Sequence, residues 1–181
     1  RKLPFPAQVP RPMRPLPLAL ALLITLGACA PRPNITPADM ARVFRQHDVR
    51  GTFVLHDVQR GTTVRHNPKR AARRMLPAST YKIPHALIAV ETGVLRDAKQ
   101  RLPWDGKRRW LEAWNRDHDL PSALRYSVVP FFQQVARKIG RNRMQRWIHR
   151  LGYGNRDISG PIDLFWLQGR LAISADEQVA F

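Results

Sequence analysis

Two apolar stripes laid end to end, with one glycine between them, most constrain how this chain folds. Val128, Phe132, Val135 and Ile139 recur at the spacing of a single helix face, and Gly140 stops that helix. Met144, Trp147, Ile148 and Leu151 resume the pattern, while Arg143, Arg146 and Arg150 fall off it, as on a surface helix. Each stripe has to be buried against another element, so this stretch belongs to a helical layer. The strand signal is thin by comparison. Residues 51–58 are nearly all apolar or β-branched, which predicts a buried strand; Arg60-Gly61 marks a turn, and residues 62–66 predict the returning partner of a hairpin. Thr36 and Pro37 read as the N-cap and first residue of a short helix ending near His47. Two strands cannot cover this many amphipathic helices, so further strands are expected after Phe181. Ser174 and Glu177 form a capping box that opens a helix, and no stop signal follows it; the sequence is therefore expected to be a fragment.

Composition excludes several functions. The formal net charge of +18 invites a nucleic-acid reading. However, the densest basic runs, residues 69–74 and 107–109, do not alternate with aromatics as a base-stacking surface would, and solvated arginines explain them. No nucleic-acid partner is expected. Cys29 is the only cysteine, which rules out an internal disulfide and a thiolate zinc site, and no pair of histidines has metal-ligand spacing. No metal is expected. From Met13, a plausible start, the chain reads as a charged segment, an apolar run from Leu16 to Leu26, and small residues. That is the form of a secretory signal, too short for a membrane span. Leu26-Gly27-Ala28-Cys29 resembles a bacterial lipobox, which implies export to the periplasm and lipidation of Cys29. The organisation expected is an upstream segment and signal over 1–28, a Pro-rich linker over 29–38, and one domain over 39–181.

The chemistry is concentrated at Pro77-Ala78-Ser79-Thr80-Tyr81-Lys82. If a helix opens here, Ser79 and Lys82 share a face. A serine hydroxyl is a weak nucleophile until a base sits beside it. A lysine serves as that base only when burial or modification removes its charge. The helix N-terminus adds a positive field suited to an oxyanion. Small side chains at Ala86 and Ala89 leave room on the Ser/Lys side, and Ile83, Leu87, Val90 and Val94 are the expected core-facing stripe. On its own, Ser-x-x-Lys is also produced by a capping serine with a solvated lysine in the first turn.

Further motifs follow in a fixed order. Ser127 and Val129 make a Ser-x-Val motif, Tyr153-Gly154-Asn155 a Tyr-Gly-Asn motif, and Trp166 lies in Phe165-Trp166-Leu167. Trp104-Asp105-Gly106, the run from Ala113 to His118, and Ile173-Ser174-Ala175 with Glu177-Gln178 agree as well. Taken with Ser79 and Lys82, this order over roughly residues 48–181 resembles the class D, oxacillinase-type, serine β-lactamases. Singly, Ser127 reads equally as a helix N-cap, Tyr153-Gly154-Asn155 as a turn and Trp166 as core packing.

The resemblance implies an α+β fold of the penicillin-recognising serine enzymes, with an antiparallel sheet flanked by helices and incomplete in this chain. It implies a β-lactam substrate, antibiotic resistance as the outcome, and no cofactor beyond carbon dioxide, which would carboxylate Lys82. Carboxylated Lys82 would be the general base, Trp166 would hold it through the indole N–H, Ser127 would relay a proton to the leaving nitrogen, and the Ser79 N–H would be half of an oxyanion hole. Val129, Tyr153, Gly154 and Asn155 would contact substrate or support the site. The family's Lys-Thr/Ser-Gly strand is absent and would lie beyond Phe181, so the fragment alone is expected to be inactive. His85 stands where Asn is expected and Tyr81 where Phe is commoner. The alternatives are a β-lactam sensor domain or a penicillin-binding transpeptidase, both of which stay acylated.

Overall fold

Thr36 shows how locally this fold is encoded. Its hydroxyl accepts from the Asp39 N–H, the Asp39 carboxylate accepts in return from the Thr36 N–H, and the resulting capping box starts helix α1 at Pro37–Gln46. The structure, a computed structural model, describes residues 35–181. The signal-like segment 1–28, Cys29 and the linker up to Asn34 lie outside the described residues.

The expected hairpin forms. Strands β1 (Phe53–Asp57) and β2 (Thr62–His66) pair antiparallel with Leu55 opposite Val64, and Gly61 turns between them at φ +62°. β1 is not the buried strand that its composition predicts. Phe53 is exposed, its neighbours are at most half-buried, and Val58, beyond the strand end, is 83% exposed. The hairpin is the whole sheet among the described residues, with α1 against β2 and α7 against β1, and these short helices cover β1 only in part.

Next come α2 (Pro68–Ala71), a 3₁₀ turn at Ala78–Tyr81 and α3 (Lys82–Glu91), followed by α4 (Leu120–Arg125), α5 (Val129–Ile139), α6 (Arg141–Arg150) and α7 (Ala175–Ala180). α3 packs on α5 and α5 on α6. Val128, Phe132, Val135 and Ile139 are all buried, as are Met144 and Ile148; Trp147 and Leu151 are half-buried against them. Gly140, at φ +76°, breaks the chain between the two helices. α7 starts at the predicted Ser174–Glu177 capping box.

Of the stripe expected here, Val94 packs against the core just after α3, but the three members within α3 lie on the wrong face. Ile83, Leu87 and Val90 are exposed, whereas Lys82, Pro84, His85, Ala86, Ile88 and Ala89 are buried. α3 is apolar nearly all round, so its periodicity does not identify the inner side. Packing against α5 decides it instead, and turns the side carrying Lys82 inward.

Three long-range links hold the chain before α3. Met75 and Ile173 exchange both backbone hydrogen bonds, at 3.0 and 2.9 Å. The Arg74 guanidinium forks onto the Glu177 carboxylate, and Arg65 reaches Asp176 at 2.7 Å. Together they tie the chain ahead of Ser79 to the start of α7.

Candidate active site

Ser79 sits in the 3₁₀ turn, one residue after Ala78, whose φ is +48°. A left-handed alanine costs on the order of 1 kcal/mol and persists only where its surroundings enforce it. Here the Ala78 N–H donates to the Trp166 carbonyl oxygen at 3.0 Å. The bend leaves Ser79 exposed while Lys82, three residues on, is only 2% exposed.

The Lys82 ammonium donates to Ser79 Oγ at 2.6 Å and to Ser127 Oγ at 2.8 Å. Ser127 Oγ in turn lies 3.1 Å from Ser79 Oγ. Three functional atoms from two separated segments thus meet in one triangle. Burial pulls the Lys82 amine down to about 8. Ser127 is not the cap of α5, because Val128 holds that position. Ser127 has φ +51°, a second strained residue bordering the same triangle.

The wall behind Lys82 is apolar and aromatic. The Phe132 ring centre lies 5.8 Å from Nζ. Trp166 is fully buried, stacks on Tyr81, and meets His85 edge-on at 5.2 Å. Its indole Nε1–H has no partner, and neither ring nitrogen of His85 has one. Most buried polar groups in native proteins are satisfied, so three orphaned nitrogens on two buried rings in contact call for an explanation. Both signals were in the sequence: Phe132 as one member of a core stripe, His85 as a departure from the family pattern. Tyr81, the other departure, is a packing feature. Its hydroxyl is buried and donates to Met144 Sδ at 3.1 Å.

The remaining motif residues stand further from the triangle. Val129 is the first residue of α5 and is half-buried. Tyr153 packs edge-on against Tyr81, and its hydroxyl accepts from Gln178 Nε2, which also donates to Thr80 Oγ1 at 2.7 Å. Asn155 clamps a neighbouring strand-like segment: it exchanges hydrogen bonds with the Ala172 backbone at 2.9 and 3.0 Å, and its Nδ2 donates to the Arg170 carbonyl oxygen. Gly154 lies between them at φ +53°, where a Cβ would collide with the Ala172 carbonyl. Gly154→Ala should therefore destabilise the fold by about 1–3 kcal/mol. The check is a urea denaturation series on the full-length protein, in which an unchanged midpoint would refute this close approach. Among the described residues, no group of three or more His, Cys, Asp or Glu side chains is arranged to hold a metal ion.

Residues 51–181 match the family described as the penicillin binding protein transpeptidase domain. The chain is 48% identical over 138 residues to β-lactamase OXA-48 of Klebsiella pneumoniae, an overlap of 76% of this chain and 52% of that protein. It is 50% identical over 148 residues to the probable β-lactamase YbxI of Bacillus subtilis, covering 82% and 55%. The chain thus spans about half the length of these curated relatives. Among solved structures, FUS-1 (OXA-85), a class D β-lactamase from Fusobacterium nucleatum subsp. polymorphum, superposes with a TM-score of 0.78 at 37% identity, over 81% of this chain and 61% of that one. A class D β-lactamase from Bacillus subtilis does so with a TM-score of 0.74 at 46% identity, over 80% and 61%.

Proposed function

Because the chain belongs to the penicillin-binding protein transpeptidase domain family and its homologues include class D β-lactamases, we propose that the protein carrying it hydrolyses β-lactams through an acyl-enzyme on Ser79. The observation that supports this most directly is the placement of Lys82. Its amine is buried yet lies within hydrogen-bond distance of both Ser79 and Ser127. A base there takes the Ser79 proton as Oγ attacks the lactam carbonyl carbon. The ring C–N bond then breaks, and the freed nitrogen receives a proton through the Ser127 hydroxyl. Water attacks the resulting ester and releases the opened acid, restoring Ser79.

Lys82 is suited to carboxylation. Its neutral amine attacks carbon dioxide, forms an N–C bond and gives up one proton. The fit rests on three features of this chain: an amine with a lowered pKa, an apolar wall at Phe132, and the orphaned indole N–H of Trp166. When present, the carboxylate supplies a base for both the acylation and the deacylation step. Trp166 would hold it by the indole N–H, and Ala78 would hold Trp166 in register through the hydrogen bond to its carbonyl.

The test is turnover of a chromogenic cephalosporin by the full-length protein, combined with mass spectrometry during the reaction. Many turnovers per molecule and a transient adduct on the peptide bearing Ser79 are expected. A single stoichiometric adduct that persists without turnover would replace hydrolase with sensor or transpeptidase.

A further inference from the structure

His85 is a buried histidine with no hydrogen bond. It is fully buried, and both Nδ1 and Nε2 lack partners. Leaving such a buried group unsatisfied carries a desolvation penalty that needs an offsetting use. Plain core packing does not supply one, since a leucine or phenylalanine would fill the space without the penalty. Its surroundings point to the use. His85 lies three residues after Lys82 on the buried side of α3. It packs against Phe132 at 5.3 Å, the same ring that faces Lys82 Nζ, and against Trp166 at 5.2 Å. Tyr81 covers a further side, with ring centres 5.4 Å apart. The histidine ring and the indole, in contact with each other, therefore carry two unclaimed N–H groups, and the histidine shares the Phe132 ring with Lys82.

We propose that His85 is a positioning residue for carboxylated Lys82: its ring N–H donates a hydrogen bond to the lysine's carboxylate, beside the one donated by the Trp166 indole. This rests on the reading of Lys82 as carboxylated. Beyond the Ser79 hydroxyl whose proton it takes, the carboxylate has the indole as a single buried donor, which leaves acceptor sites on its two oxygens unfilled. A second donor inside a dry site supplies the missing stabilisation. The imidazole is well suited to this. Burial, the larger cause that lowers the His85 value, favours the neutral ring, which keeps one N–H to donate. The three aromatic neighbours fix the ring plane, so little side-chain freedom remains to be lost when the hydrogen bond forms.

The experiment supplies ¹³C-bicarbonate to the full-length protein and follows the carbamate carbon by NMR as bicarbonate is titrated, with no β-lactam present. His85→Leu should raise the half-saturating bicarbonate by about tenfold, as expected for one lost charge-assisted hydrogen bond. His85→Asn keeps an N–H donor and should stay within about threefold of wild type. In ¹⁵N-histidine-labelled wild-type protein, bicarbonate should shift one His85 ring N–H downfield together with the Trp166 indole proton. That measurement decides the matter if the leucine variant does not fold. A wild-type protein with no carbamate signal would overturn the carboxylated-lysine reading itself. A carbamate that titrates identically in wild type and His85→Leu, or forms while the His85 ring signals stay still, would overturn the role of His85 alone.

Discussion

Ser79→Ala in the full-length protein is expected to remove β-lactam turnover, lowering kcat/KM by on the order of 10⁴–10⁶-fold. The size follows from chemistry rather than packing. The Ser79 side chain is exposed, so deleting its hydroxyl leaves no buried cavity and should move the unfolding midpoint little. What disappears is the oxygen placed 2.6 Å from Lys82 Nζ and 3.1 Å from Ser127 Oγ. Because nucleophile and base act as a unit, the double variant Ser79→Ala/Lys82→Ala should be scarcely slower than either single one. Steady-state hydrolysis of a chromogenic cephalosporin measures the loss. Mass spectrometry of the intact protein after mixing should show the adduct in wild type and none in the variant. An adduct of the same mass in Ser79→Ala would move the nucleophile elsewhere.

The parts of this molecule that sequence reveals are those set by local rules. The Thr36 N-cap of α1, the capping box of α7, the hairpin turn at Gly61 and the α5–Gly140–α6 break each follow from a few adjacent residues. Ser79 and Lys82 are likewise legible, because one turn of chain carries both. The failures are those decided by what lies across the core. On α3, three apolar residues point outward and a lysine and a histidine point inward, an orientation set by contact with α5 that no pattern within α3 encodes. Residues 51–58 read as a buried strand because composition reports apolarity, not the number of layers that cover it. Ser127 could be read as a cap from sequence; its positive φ and its distance to Lys82 become visible only when residues 45 positions apart meet. The orphaned nitrogens of His85 and Trp166 belong to the same class, since a hydrogen bond that is not made leaves no mark in a sequence.

Lys82 carries the other large effect, and its signature is dependence on bicarbonate and pH together. Lys82→Ala removes the proposed base for both half-reactions and should cost about 10³–10⁴-fold or more in turnover, with no rescue by bicarbonate. In wild type, the sign of the pH effect follows from the direction of the shift. Only the neutral amine reacts with carbon dioxide, and lowering the Lys82 value from 10.5 to about 8 raises the neutral fraction at pH 7 by roughly 300-fold. As pH falls from 8 to 7 that fraction shrinks about fivefold, and by about ninefold more at pH 6. Acid also protonates the carbamate nitrogen, which releases carbon dioxide. Activity in bicarbonate-free buffer should therefore decline over this range, and added bicarbonate should restore most of it by mass action. Trp166→Phe keeps most of the ring packing but deletes the orphaned indole N–H. It should need more bicarbonate than wild type at every pH and approach wild-type turnover when bicarbonate is high. The measurement is initial rate against bicarbonate at pH 6, 7 and 8 for the three proteins. Rates that ignore bicarbonate in wild type and in Trp166→Phe alike would leave Lys82 acting as a free amine, and the unmodified 2.6 Å contact with Ser79 would then be the working geometry.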